Sequence, residues 1–292
     1  MTVDRNGRPL DDKQENASFL RFLYGNPAGR VLLRLFTSRF LSRLVGGYMN
    51  SRLSSGRAKK CMKAYGVKTE ELEKESFRSF NEFFTRKKKP EFIRVDADPL
   101  SFPSPADSRL TVVRLKDGNA FPVKGAPYTA KDLLSDEKEA EAYRDGWAFV
   151  FRLAPSDYHR YVYPDGGTEC GRKFIPGVLH TVSPVATDIM PVFHRNCREK
   201  TFLETDHFGR IAFVEVGAMM VGKICNRPEK ENARFERGEE KGYFAFGGST
   251  IVVLFRDGSV LPDGDILKNS DDGNETYVRL GESVAKAACA GS

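Results

Sequence analysis

Glu239-Glu-Lys-Gly-Tyr-Phe-Ala-Phe-Gly-Gly-Ser-Thr-Ile-Val-Val-Leu-Phe255 sets two apolar runs on either side of four small residues, Gly247-Gly248-Ser249-Thr250. Aromatic and β-branched runs of this kind read as strands. The break between them is unusual, because a tight hairpin turn favours Asn-Gly or Asp-Gly. Gly-Gly followed by Ser-Thr instead puts a permissive backbone directly before a hydroxyl nucleophile. The stretch reads as a point where the chain acts on its own backbone; standing alone, it would read as a bulge between two strands.

Working outward, the chain from residue 91 to residue 292 has β character, with short apolar runs separated by Gly, Pro and Asp. Residues 110–115, 147–153, 159–163, 174–182, 211–224, 243–246 and 251–255 are the strand candidates, and one helix is expected over 129–143. Residues 1–90 differ. The first fifteen are polar and expected to fray. Residues 30–45 read as a helix closed by Gly46-Gly47. On it Leu32, Leu33, Phe36, Phe40 and Leu44 share a flank, bordered by Arg39 and Arg43. Residues 51–90 read as helical and charged. There Phe77, Phe80, Phe83 and Phe84 form a stripe of the kind that usually packs in a core, and Pro90 stops the helix. The fold expected is α+β: a basic helical region over 1–90, then a predominantly antiparallel β domain over 91–292 whose last long hairpin contains residues 247–250.

With 292 residues and 40% hydrophobic content the chain can bury a large core. Its five cysteines are an odd number without a C-x-x-C pair, which suggests neither a disulfide framework nor a zinc site. No apolar run reaches the ~18 residues needed to cross a bilayer, and the start does not read as a signal peptide. A cytoplasmic location is expected. The net charge is +6, but no acidic residue lies between Glu15 and Glu70, where eleven Lys and Arg fall. That segment points to an anionic partner, nucleic acid or acidic lipid. The Arg86-Lys-Lys-Lys89 run lacks interleaved exposed aromatics, which disfavours nucleic acid. No Gly-rich phosphate loop follows a strand, so no nucleotide cofactor is expected.

Phe80-Asn-Glu-Phe-Phe-Thr-Arg86, Ser104-Pro-Ala-Asp107, Pro155-Ser-Asp-Tyr-His-Arg160, Val214-Glu-Val-Gly-Ala218 with Val221-Gly222, and Lys241-Gly-Tyr-Phe-Ala-Phe-Gly-Gly-Ser-Thr250 occur in one order. Together they resemble the phosphatidylserine decarboxylase proenzymes from about residue 20 to the end. The resemblance implies self-cleavage between Gly248 and Ser249. The serine hydroxyl attacks the preceding carbonyl to give an ester, elimination releases the upstream chain, and hydrolysis leaves a pyruvoyl group in place of Ser249. It implies phosphatidylserine as substrate, an anionic membrane as partner, a peripheral position on the cytoplasmic face, and a heterodimer of the two fragments. Asp107 matches the family's aspartate, which orients the cleavage base; unaided, Asp after Pro-Ala reads as a turn residue.

Many members read Tyr-His-Arg-x-His, the first histidine serving decarboxylation and the second the cleavage triad. Here the run is Tyr158-His159-Arg160-Tyr161-Val162, so His159 remains and valine stands at the triad position. His180, in a run where the family carries a hydroxyl residue matched by Thr181 or Ser183, is expected to replace the missing base, with Asp107 as its orienter. The alternative for His180 is a satisfied core histidine. Asp206, His207 and Cys197 lack compact ligand spacing, and no metal is expected. Two other readings stay open. One is a serine hydrolase that uses Ser249 without cutting itself, and the other, suggested by Val162, is a noncatalytic lipid-binding homologue.

Overall fold

The computed structural model describes residues 1–10, 17–37, 39–116, 120–123, 126–181, 192–218, 223–228, 232–246 and 249–288. Gly247, Gly248, Val182, Ser183 and the Met219-Met-Val-Gly222 stretch lie outside these residues, as do the side chains of Phe36, Arg39, Phe40 and Arg43. The helices are α1 (Ala17–Gly25), α2 (Pro27–Phe36), α3 (Arg39–Asn50), α4 (Ser55–Ala64), α5 (Phe80–Phe84), α6 (Ala130–Leu134), α7 (Glu137–Glu141) and α8 (Gly264–Asp271). The strands up to the middle of the chain are β1 (Thr2–Val3), β2 (Ser101–Pro103), β3 (Ser108–Arg114), β4 (Ala120–Val123), β5 (Ala126–Thr129), β6 (Trp147–Leu153), β7 (Arg160–Val162) and β8 (Gly167–Ile175). There follow β9 (Arg198–Thr205), β10 (Gly209–Gly217), β11 (Ile224–Asn226), β12 (Arg234–Phe235), β13 (Glu240–Phe244), β14 (Ser249–Phe255), β15 (Val260–Pro262), β16 (Glu275–Val278) and β17 (Ser283–Ala287).

The protein is α+β, and β14 is its centre. A nine-stranded sheet runs β1-β16-β3-β6-β14-β10-β9-β8-β12, antiparallel except where β1 joins β16. All seven residues of β14 are buried, because both faces of the sheet are covered there. Ile251, Val253 and Phe255 enter one core with Phe151, Tyr161 and Phe244. Val252 and Leu254 enter another with Tyr24, Leu33 and Leu133, beneath α1, α2 and α6. The first face carries two three-stranded sheets, β11-β13-β7 and β15-β17-β2. A third core joins Met49 of α3 and Ala58 of α4 to Phe77, Phe80, Phe83 and Phe84, so the phenylalanine stripe is core as its spacing predicts.

Several expectations are corrected. Residues 1–10 are ordered: β1 pairs with Glu275 and Thr276, Val3 is buried, and Arg5 hydrogen-bonds Asp263, Asp265 and the Ser283 carbonyl. The expected helix over 30–45 is two helices, and Gly46-Gly47 lie inside α3, where docking of Met49 offsets their cost of about 1 kcal/mol each. Residues 51–90 hold only two short α-helices besides 3-10 turns. Helix α5 starts at Phe80 because the Ser79 side chain accepts from the Glu82 amide, and Glu82 reaches back to the Arg78 amide. Beyond Arg86 the chain is extended beside residues 71–73. The helix expected over 129–143 is broken by left-handed Ser135 into α6 and α7. Strand β8 stops at Ile175, short of the expected 182, and β11 is separate from β10 and in another sheet. Strands β13 and β14 likewise belong to different sheets. The strands on either side of Gly247-Gly248 therefore do not pair as the expected hairpin.

Candidate active site

Ser249 opens β14, opposite Leu153 of β6 and Gly217 of β10. It is fully buried, and its Oγ makes no hydrogen bond to any described residue; the same is true of Thr250 Oγ1. Strand alternation puts Ser249 on the face of Ile251 and Thr250 on the face of Val252. A buried hydroxyl without a partner costs about 1–3 kcal/mol. Packing alone gives no reason to keep one at the start of a central strand.

His159 reaches the same end of the sheet. After Leu153, the β6 partner of Ser249, the chain turns through Ala154–Tyr158, and the His159 carbonyl accepts from the Phe244 amide at the end of β13. The turn is closed by Asp157, whose carboxylate accepts from the Ala154 amide and pairs with Arg109 of β3. Burial nevertheless pushes the Asp157 carboxyl up to about 6. The His159 ring is fully buried and packs against Phe84, the centroids 3.8 Å apart and the planes tilted by 37°. Its Nδ1 lies 3.0 Å from the Asp157 carbonyl oxygen. A carbonyl only accepts, so Nδ1 carries the proton and Nε2 is the bare nitrogen. Nε2 is buried and makes no hydrogen bond to any described residue. Burial, then the nearby Arg86 guanidinium, lower the His159 pKa to about 3, leaving the ring neutral at physiological pH.

Asp107 sits in a tight turn in which Ser104 Oγ donates to the Ala106 carbonyl. Its Oδ1 accepts from the Leu280 amide at 2.8 Å, and its Oδ2 lies 3.4 Å from Lys88 Nζ. It opens on a cleft of about 1520 Å³ lined also by Lys88, Arg109, Asp157 and Tyr158. The amide of Val162 donates to the Pro105 carbonyl in this turn, so the residue that lacks a titratable side chain lies against Asp107's own loop.

His180 lies past β8, in a loop. A Cβ on Gly177 would fall 2.4 Å from the Arg195 carbonyl, so glycine is required where this loop meets residues 195–197. Asn196 then bonds both the amide and the carbonyl of His180, and also the carbonyl of Gly217, the β10 partner of Ser249. The Tyr24 hydroxyl of α1 accepts from the Thr181 amide and lies 3.2 Å from His180 Nδ1. Burial lowers the His180 pKa to about 4. Ser249 and His159 are thus brought to one end of the sheet. His180 comes within one intervening side chain of Ser249's strand partner, whereas Asp107 and His180 share no hydrogen bond. The sequence placed Phe84 in a core stripe and gave no site role to Arg86 or Asp157; all three hold His159.

Among the described residues no helix is long and apolar enough to cross a membrane. Compared with known proteins, residues 80–286 match the family model described as phosphatidylserine decarboxylase. The chain is 40% identical over 276 residues to phosphatidylserine decarboxylase proenzyme 2 of Clostridium acetobutylicum, with 94% of each chain covered. It is 36% identical over 278 residues to the phosphatidylserine decarboxylase proenzyme of Clostridium botulinum, again with 94% of each covered. A third relative, the proenzyme of Clostridium perfringens, is 36% identical over 273 residues, covering 91% of this chain and 92% of its own. The aligned stretch takes in the buried serine, the histidine turn and the Asp107 loop alike, and on that extent of similarity the chain belongs to the phosphatidylserine decarboxylase family.

Proposed function

We propose that the chain cuts itself between Gly248 and Ser249, that Ser249 becomes a pyruvoyl group, and that the processed protein converts phosphatidylserine to phosphatidylethanolamine. The observation that carries this reading is the buried Oγ of Ser249, without a hydrogen bond to any described residue, at the start of a strand whose predecessor in the chain belongs to another sheet. A hydroxyl held by a hydrogen bond would have to give it up before attacking; no described residue holds this one. A pyruvoyl group supplies a carbonyl that takes the substrate amine and the electron pair left when carbon dioxide departs. Around it the chain contributes a neutral imidazole with a bare Nε2 at His159, and side chains that bury the site from water. Lys88 and Asp107 line the cleft together with Asp157, the residue whose carbonyl holds His159.

The two fragments would remain together as a heterodimer. After the cut, the β14 pairings from Thr250 to Phe255 with β6 and from Thr250 to Leu254 with β10 would remain, as would that of β17 with β2. The test is intact mass together with carbon dioxide release from phosphatidylserine vesicles. Two fragments, the smaller starting at residue 249 without a free amine, are expected; one uncut chain ends the proposal.

For the base that takes the Ser249 proton we favour His159. The Asn196 link between His180 and Gly217 separately favours His180. The expected result is that His159→Ala slows cleavage by about 10²-fold or more, while His180→Ala changes it less than about threefold. The reverse pattern transfers the role to His180.

Docking on the cytoplasmic face of an anionic membrane is supported by the N-terminal helices. Leu53 is 83% exposed and Leu44 57%, and the same helical segment also exposes Phe19, Phe22 and Tyr48 and the cations Arg52, Arg57 and Lys59. Replacing Leu44 and Leu53 by Asp is expected to weaken binding to phosphatidylserine vesicles by about 10²-fold, from about 1.5 kcal/mol or more lost per side chain. Cosedimentation measures this. Unchanged binding would assign the face to protein contacts.

A further inference from the structure

Arg86 is 6% exposed yet forms no hydrogen bond to a carboxylate. Its donors go to three carbonyls, those of Phe83 at 3.5 Å, Ser156 at 3.1 Å and Asp157 at 2.8 Å, and its guanidinium lies 4.9 Å from the Phe83 ring centre. Burying a guanidinium with no hydrogen-bonded counter-ion is costly, and packing gives no return that an aliphatic side chain would not. The Asp157 carbonyl accepts both from Arg86 Nη2 and from His159 Nδ1. The same short stretch therefore fixes the turn and the ring: Phe84 covers the ring face, Arg86 holds the turn's carbonyls, and Arg160 in return donates to the carbonyls of Thr85 and Arg86.

We propose that Arg86 is a positioning residue that acts through the Asp157 carbonyl to hold His159 in the Nδ1–H form, with Nε2 free to receive a proton. This rests on the reading that His159 serves the chemistry at Ser249. The groups facing the ring have a consistent sign. Arg86 from the exit of α5 and Arg109 from β3 are both cationic, and the Asp157 carboxylate is turned to Arg109 and the Ala154 amide. Farther out, Asp107 pairs with Lys88, and Tyr65 and Tyr158 are phenols. A proton arriving on Nε2 would create a second buried cation beside Arg86. The geometry therefore suits brief acceptance of a proton during reaction and disfavours a resting imidazolium.

The test separates this idea from the function it serves by using the uncleavable Ser249→Ala chain. With four histidines in the sequence, ¹⁵N-labelled histidine and long-range ¹⁵N–¹H spectra report each tautomer, and His159→Gln assigns the signal. The expected parent is Nδ1–H and neutral down to about pH 4, given its lowered pKa of about 3. Arg86→Met is expected to give a mixed tautomer and raise the titration midpoint by more than about one unit, as one nearby charge does. In the cleavable chain the same substitution should move the acid limb of the cleavage rate to higher pH, because the base is then protonated over a wider range. An Nε2–H parent, or a folded Arg86→Met protein with unchanged tautomer and titration, overturns the proposal. If Arg86→Met does not fold, Arg86→Lys decides: a point charge replaces the fork, so the midpoint stays low while the tautomer becomes mixed, and a tautomer that is unchanged refutes the role. A wild-type chain that never cuts itself would sink the proposed function and leave these spectra interpretable.

Discussion

Ser249→Ala should give a single uncut chain of about the full 32.8 kDa that releases no carbon dioxide from phosphatidylserine, and it should be at least as stable as the uncut parent. The two halves of this expectation come from the same atom. Ser249 Oγ is buried without a hydrogen bond to a described residue, so deleting it removes a nucleophile and also a desolvated polar group. Alanine keeps the Cβ that packs at the start of β14 and leaves its ladder with β6 and β10 untouched. A serine kept for structure behaves in the opposite way, losing about 1 kcal/mol with its hydrogen bond. Denaturant melts of Ser249→Ala, compared with those of another uncleavable chain, check the stability half. Loss of cleavage with a clear loss of stability would mean that the hydroxyl has a structural partner and that its bare state is not the poised nucleophile proposed here.

Where a run of residues carries its own period, the sequence could be read directly. Trp147–Leu153 and Ile251–Val-Val-Leu-Phe255 are strands because short aromatic and β-branched runs fit a sheet covered on both faces. The phenylalanines of residues 77–84 are core for the same local reason. What could not be read depends on partners far away in the chain. Two residues, Thr2 and Val3, have no period, and they form a strand only because Glu275 and Thr276 offer an edge. Adjacency suggested that β13 and β14 pair, but β13 finds β7 and β11 instead. In the site, Ser249, Asp107 and His159 were recognisable as ordered motifs. The tautomer of His159 was not, because it depends on a carbonyl and on an arginine more than seventy residues upstream. The replacement of the triad histidine by Val162 was visible in the sequence. That its amide still bonds the Asp107 loop was not.

Glu215 was equally hard to place, since alternation in Val214-Glu-Val216 fixes which face it takes but not what covers that face. It is fully buried, paired with an equally buried Lys241 whose Nζ also donates to Thr201 Oγ1 at 3.1 Å and lies 5.2 Å from the centre of the Phe213 ring. Lys241→Met should therefore destabilise the protein by about 3–5 kcal/mol at neutral pH, because it leaves a carboxylate unpaired in the core. The sign of the pH dependence follows from linkage. Burial already pushes the Glu215 pKa up, and Lys241 opposes that rise. Without the lysine, the folded protein holds the Glu215 proton to higher pH than the unfolded chain does. Stability linked to that proton is fully present below the unfolded value of about 4.3 and is lost as pH rises through the folded value. The deficit of Lys241→Met should accordingly shrink on acidification, and Glu215→Gln combined with Lys241→Met should recover part of it at pH 7. Urea melts in the Ser249→Ala background, at pH 7 and pH 5, measure both effects. A deficit below about 1 kcal/mol at pH 7 would show that the carboxylate finds water or another donor. A full deficit would reach the active site as well, because Glu215 is the β10 partner of Ile251. A change in its charge state acts two residues from the strand start that holds Ser249.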